Sequence, residues 1–397
     1  MRVSFFNKSL RHVIASYRDW QTDRFVNSWI EKRNALQPED FDFYSFKSKV
    51  VGFIHAMQIN GTGVHYRYSD DCTKPTLYAS AYACMTLSIL GELRNYTDAQ
   101  KRAWVDYFDS FQHHEDGLFY DPIVMNELFP DTDWWGARHL ALHMISAYTD
   151  LGARPKYPFS FLDQYYDLDH TKSWLDSFNW RTEAFEHAND VDNKLMNIGC
   201  LLQYQRDHFA DTRAAETIIF IRDYLYSKLN KKTGLWGNYN PQDPAQRSRM
   251  IQFAYHLFPL FFYDDSYAFD FALIIDHVLN TQNKYGGFGV QSNSSACEDI
   301  DSIDILIKLY HLAQENRKLE IDTALQRALR WVLHNQTDDG GFVFKLNEQM
   351  IYGHHEMSSS ANSGAMFPTW FRVLSIAYMM KHKHNCFVIN RAPGLVF

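Results

Sequence analysis

No stretch of the 397 residues approaches eighteen uncharged apolar positions in a row, so no membrane-spanning helix is expected. The longest apolar piece, YHLFPLFFY at 255–263, is broken by His256 and Pro259. The first twenty residues carry Lys8, Arg11 and His12, and therefore lack the apolar core of a signal peptide. Basic residues are outnumbered, 39 Lys and Arg against 47 Asp and Glu, and the net charge of −8 argues against a nucleic-acid partner. The five cysteines (72, 84, 200, 297 and 386) form no CxxC pair, and an odd count suits reduced thiols and a cytoplasmic location. Alternation of the kind that marks strands is nearly absent. With 46% hydrophobic and 22% charged residues, the chain is nevertheless a well-provisioned globular protein and not a disordered one.

What the chain does have is a repeat. HHEDGLF (113–119), NKKTGLW (230–236), QNKYGGF (282–288) and QTDDGGF (336–342) share a glycine followed two residues on by an aromatic. Their glycines at 117, 234, 286 and 340 are spaced by 117, 52 and 54 residues, the first interval being close to two repeats. A second set of markers, polar residues opening apolar helical patterns, begins near 71, 131, 190, 246, 299 and 355. Between them lie amphipathic helices such as DTALQRALRWVLHN at 322–335. A period of 50 to 60 residues means stacked units. Six helical hairpins of equal length can close on themselves, which predicts an all-α protein built as an (α/α)6 toroid. The expected division is a helical N-terminal segment over 1–48, the toroid over 49–384 and a C-terminal tail over 385–397.

Parallel inner helices would bring their N-termini to one mouth. That places Asp70, Asp71, Asp131, Asp133, Asp190, Asp192, Arg247, Arg249, Asp299, Asp301, His354, His355 and Glu356 at one end of the barrel. Clusters of ionisable groups at a pocket are the default site hypothesis. Within the cluster, DTD (131–133), DVD (190–192) and DID (299–301) open inner helices in register. The richest stretch, SSACEDIDSIDIL at 294–306, can be an ordinary acidic first turn, since Ser295 and Glu298 form an S-x-x-E capping box. It can also be catalytic, because Asp301 and Asp304 share a helix face and crowded carboxylates raise one another's pKa. Trp134 and Trp135 fit either core packing or stacking on a ligand, and Asn189 and Asn193 either a helix cap or a ligand contact.

The segments QNKYGGF and QTDDGGF resemble the Q-x-x-x-G-x-W/F repeat of squalene and hopene cyclases, which protein prenyltransferase β-subunits carry in looser form. The run GGFGVQSNSSACEDIDSIDILIKL is similar to the part of class II terpene cyclases where such a turn leads into the D-x-D-D motif. The resemblance implies that Asp301 is the protonating acid and Asp299 the first aspartate, with Ser302 in place of the last. It implies a small isoprenoid substrate and no cofactor. Asp131, Asp133, Trp134, Trp135, Asp190, Asp192, Arg249, Asp304, His354, His355 and Glu356 are the expected substrate-binding set.

Two other chemistries fit the same mouth. A glycoside hydrolase or polysaccharide lyase acting on an oligosaccharide would use Asp192 and Asp301 as paired carboxylates, or His354 or His355 as base with Arg249 neutralising a uronate. A zinc thiolate enzyme like the prenyltransferases would use Cys297, Asp299 and His354 or His355, although the Cys-x-Asp order reverses that family's. The tail APGLVF suits either packing back on the toroid or contact with a membrane surface. The sequence carries no mark of an oligomeric state.

Overall fold

The computed structural model describes residues 2–33, 40–125, 135–180, 191–380 and 386–394, with side chains from residue 17 onward. After α1 (Arg2–Lys32) the helices come in pairs: α2 (Phe43–Ala56) with α3 (Leu77–Ile89), α4 (Asp98–Asp109) with α5 (Ala137–Leu151), and α6 (Leu168–Asp176) with α7 (Val191–Phe209). They continue as α8 (Thr212–Ser227) with α9 (Pro244–Leu257) and its short extension α10 (Pro259–Phe262), α11 (Phe271–Leu279) with α12 (Ala296–Tyr310), and α13 (Glu315–His334) with α14 (Met366–Met380). The only paired strands among the described residues are β1 (Met350–Tyr352) and β2 (His354–Ser359), an antiparallel hairpin.

The second member of each pair touches the second member of the next: α3 on α5, α5 on α7, α7 on α9, α9 on α12, α12 on α14, and α14 back on α3. The ring is closed, and the fold is an (α/α)6 toroid. Position in the ring follows from composition. α3 and α14 are buried on all sides, every residue of both being inaccessible or nearly so. α13, on the outside, buries only the stripe containing Ile321, Leu325, Ala328 and Val332. The first pair of the ring begins at Phe43, ahead of the boundary at 49 expected from the repeat.

The glycine repeat is the joint between pairs. Gln282 Nε2 donates to the carbonyls of Gly286 and Ala324, both at 2.8 Å, so one side chain ties the turn to the following outer helix. Gly286 has φ of +100°, and a Cβ there would lie 2.3 Å from the Arg327 carbonyl. Gly340, with φ of +93°, approaches the Lys49 carbonyl in the same way. Both turns need a residue without a side chain.

The inner helices α7, α9 and α12 start close to their polar markers, α3 and α5 start at Leu77 and Ala137, after theirs, and the sixth departs furthest. The sixth begins at Met366 and not near 355, because residues 350–359 turn through Gly353 (φ +74°) and pair as the hairpin. No helix among the described residues is long and apolar enough to cross a membrane.

Candidate active site

One cavity of about 790 Å³ lies where the inner helices begin. α5 lends it His139 and His143, α7 lends Asn193 and Met196, α9 lends Arg249 and Tyr255, α12 lends Cys297, Glu298 and Asp301, and α14 lends Phe367, Trp370 and Phe371. The β1 residues Met350, Ile351 and Tyr352 wall one side. Convergence of helix N-termini on one end is therefore observed, and it singles out a few of the predicted residues.

Asp299 and Asp301 illustrate the selection. Two residues along a helix amount to roughly 200° of rotation, so their side chains point to opposite sides of α12. Asp299 is fully buried away from the cavity and accepts from the Phe288 N–H (2.7 Å), Ser294 Oγ (2.9 Å) and Trp331 Nε1 (2.9 Å), and from Arg372 Nη1. It joins the Gly-Gly-Phe turn, α13 and α14 to the start of α12. A carboxylate with every acceptor site engaged cannot donate a proton or reach a substrate, and the expected catalytic part for Asp299 is corrected to a structural one.

Asp301 faces the cavity and is 3% exposed. No hydrogen bond reaches its carboxyl from the described residues. Burial, then repulsion from Glu298, hold its pKa well above the ordinary carboxylate range, with Arg249 opposing. Glu298 closes the predicted capping box, its Oε2 accepting from the Ser295 N–H and Oγ, both at 2.8 Å. Burial raises the Glu298 pKa as well, while Lys345 lowers it. A capping box and a buried, cavity-facing carboxyl thus coexist on one turn.

Asp192 is buried beneath the cavity and does not line it. It receives both Arg249 nitrogens (2.8 and 2.9 Å) and approaches His256 Nδ1 at 2.8 Å, which fixes Arg249 against the cavity wall. Burial pushes its pKa up, but His256 and Arg249 outweigh burial and bring it down to about 2. The ordinary aspartate value lies near 4, so ionised Asp192 stabilises the fold fully above about pH 4, and that stability is lost as pH falls toward 2; it amounts to about 2 kcal/mol. Replacing Arg249 by Met is expected to flatten this acid limb in urea unfolding between pH 4 and 2. A limb of unchanged slope would remove Arg249 from the account.

Of the remaining expectations, some are corrected and some fall outside the described residues. Asp304 does not line the cavity; it is paired with Lys308, one turn along α12. His354, His355 and Glu356 stand on β2 and not at a helix start, and none lines the cavity. Glu356 accepts from the Thr73 N–H (2.9 Å), Thr73 Oγ1 (3.2 Å) and the Lys74 N–H (3.1 Å), so it fastens the hairpin to the loop before α3. His354 Nδ1 accepts from the Glu356 N–H at 3.0 Å. Trp135 is buried against the Gly353 turn, in the core. Asp131, Asp133, Trp134 and Asp190 lie outside the described residues. No group of three His, Cys, Asp or Glu among the described residues could hold a metal ion, and with Asp299 engaged elsewhere the zinc ligand set does not assemble.

No family model and no curated protein matches the chain. Solved structures that resemble it include a GH76 α-mannanase from Bacteroides thetaiotaomicron, at 13% identity over 86% of this chain and 95% of that one (TM-score 0.46). A type II terpene cyclase from Scytonema, in complex with merosterolic acid A, is 11% identical over 85% of this chain and 96% of its own (TM-score 0.48). An unsaturated glucuronyl hydrolase from Streptococcus agalactiae is 9% identical over 86% and 92% (TM-score 0.48). At these identities the likeness is one of helix arrangement, and no residue role passes from them to this chain.

Several lining residues escaped the sequence reading. His139 and His143 are spaced i, i+4 on α5, with their Nε2 atoms 3.3 Å apart, and Tyr78 Oη lies 3.0 Å from His139 Nδ1. Burial drives both imidazole pKa values far below the usual range, so both rings are neutral at pH 7. Phe367, Trp370 and Phe371, at i, i+3 and i+4 on α14, form an aromatic panel whose neighbouring centroids lie 4.5 and 4.6 Å apart. Tyr352 stacks on Phe367 at 4.6 Å. The helical spacing that reveals a shared face was legible in both segments. Helix spacing alone does not distinguish a face on the cavity from a face on the core.

Proposed function

We propose that this chain is an enzyme that starts the cyclisation of an isoprenoid by protonating it, with Asp301 as the general acid. The observation that carries the reading is a buried, cavity-facing carboxyl, free of hydrogen bonds from the described residues, above a panel of aromatic rings. Asp301 would give its proton to an alkene or epoxide carbon or oxygen at the cavity end of the substrate, leaving a carboxylate and a carbocation. The faces of Phe367, Trp370, Phe371 and Tyr352 would attract the migrating positive charge through their quadrupoles. The neutral His139–His143 pair puts no competing positive charge in that space. The polypeptide supplies all of these groups.

One feature favours a second reading. The side of the cavity lined by Asn193, Arg249, Gln252, Gln291, Lys345 and Glu348 is polar, and Glu298 offers a second carboxyl beside Asp301. A glycan could lie along that wall with Glu298 and Asp301 sharing acid and base duties. Incubation in D2O separates the two. A prenyl substrate cyclised here is expected to carry a single deuterium at the protonated carbon, detected by mass spectrometry. Cleavage of an oligosaccharide, with no conversion of any prenyl substrate, would overturn the cyclase reading in favour of the glycan one.

A further inference from the structure

The described part of the tail, residues 386–394, begins against the outer helix α2, where the rings of Phe387 and Phe43 lie 4.9 Å apart. It then enters the hole from the end opposite the helix N-termini. The Val388 N–H donates to the Ile89 carbonyl at 2.9 Å, Asn390 Nδ2 donates to Asp150 Oδ1 at 2.7 Å, and Arg391 Nη2 donates to the Tyr263 carbonyl. Ile89 ends α3, Asp150 is next to last in α5, and Tyr263 follows α10, so these anchors all sit at the C-terminal ends of inner helices. Ala392 is then buried, and Gly394 lines the same cavity as Asp301.

The depth of entry can be measured along α5. A Cβ built on Gly394 would lie 3.1 Å from Leu142 Cδ1 and 3.7 Å from Cys200 Sγ. Leu142 stands about two turns inward from Asp150, roughly 12 Å along the helix axis. The chain thus climbs from the rim at Asn390 to the middle of the hole at Gly394. Leu142 and Cys200 are midway along α5 and α7, between the mouth and the far end. Gly394 has φ of +88°, a conformation that spares the cavity a side chain at this point.

We propose that Gly394 is a specificity-determining residue: residues 388–394 narrow the far end of the hole, and the bare backbone at Gly394 sets the longest apolar chain that the cavity accepts. This rests on the isoprenoid reading. It is tested on the full-length protein by titrating a ladder of prenyl alcohols (geraniol, farnesol, geranylgeraniol and the next longer homologue) and following tryptophan fluorescence, to which Trp370 in the cavity wall contributes. Two variants are compared with the unaltered chain. Gly394→Asn introduces a side chain at the floor, using a residue that tolerates positive φ. The pair Asn390→Ala with Arg391→Ala releases the tail's polar anchors without adding a side chain to the cavity.

The unaltered protein is expected to bind up to a length limit. In Gly394→Asn that limit falls by one isoprene unit, and the dissociation constant of the longest bound alcohol rises about tenfold or more, since every buried methylene counts. In the unanchored variant the limit rises. Binding with one and the same limit in all three proteins overturns the floor assignment and leaves the isoprenoid reading standing. Failure of the unaltered protein to bind any of the alcohols overturns the isoprenoid reading and the floor assignment with it. If Gly394→Asn does not fold, by circular dichroism, the unanchored variant decides alone.

Discussion

Asp301→Asn is expected to abolish turnover of a polyprenyl substrate, by a factor of about a thousand or more, and to leave the fold intact. The amide is close to the carboxyl in size, but it is far too weak an acid to protonate an alkene, and general acids contribute roughly 10²- to 10⁴-fold even where the chemistry can proceed without them. Folding should survive because no hydrogen bond from the described residues depends on this carboxyl. The sign of the pH effect follows from its environment. Burial and the neighbouring Glu298 raise the Asp301 pKa, and the proposed reaction requires the protonated form, so the rate is expected to fall as pH rises through that value. The same shift means that ionising Asp301 costs stability: from the unfolded value near 4 upward, the folded state loses ground until the folded pKa is passed. An amide in place of the Asp301 carboxyl would remove this contribution and make the variant's stability less dependent on pH in that window. Turnover of Asp301→Asn at more than a tenth of the original rate would rule out the acid assignment. Circular dichroism and urea unfolding check that the fold is kept.

Arg372→Met is expected to produce the largest loss of stability, about 3–5 kcal/mol, because it leaves Asp299 buried without its countercharge. Both side chains are wholly inaccessible, and Arg372 also donates to the carbonyls of Ser294 (3.3 Å) and Phe344 (3.2 Å) and to Asn335 Oδ1 (3.3 Å). Its removal orphans acceptors on three segments at once. Met fills much of the space but can satisfy none of them. Asp299→Asn on its own should be costly too, and the double variant less so than the sum, since neither charge is then left alone. The measurement is urea unfolding followed by circular dichroism, with the coupling taken from the four proteins. A loss below about 1 kcal/mol for Arg372→Met would show that the cluster does not hold the α12–α14 seam.

The two aspartates also explain how far the sequence could be read. The helical hairpins and their number were legible because one inner and one outer helix recur with a fixed period, and the Gln and Gly of the joints at 282–288 and 336–342 are held by backbone contacts. Asp301 was singled out by the D-x-D-D resemblance, and spacing alone would have paired it with Asp304, which turns to Lys308 and does not line the cavity. The structural part of Asp299 was not legible, since its partners Trp331 and Arg372 lie 32 and 73 residues away and no local pattern marks them. The same holds for His354 to Glu356. A polar cluster before an apolar helix looked like the five others, and only the long-range bonds from Thr73 and Lys74 reveal it as part of a hairpin. The spacing of Phe367, Trp370 and Phe371 gives them one face of α14 and does not say what that face borders. They border the cavity because the ring has a hole at its axis, which is a property of closure and not of any one segment.

Closure also has a cost in time. The seam where α14 meets α3 joins residues nearly three hundred positions apart: the Met366 N–H bonds the Tyr68 carbonyl at 2.9 Å, and Ser69 Oγ bonds the Ser358 carbonyl at 2.6 Å. During synthesis the first pairs emerge long before their final neighbour exists. Until the sixth pair arrives, the apolar flank of α3 that α14 will cover has nothing to lie against. Folding of this chain is therefore expected to end on a slow, long-range docking step, with a sticky open arc as its precursor. The cavity is complete only at that last step, because α14 supplies its aromatic panel, so an incomplete ring is expected to be aggregation-prone.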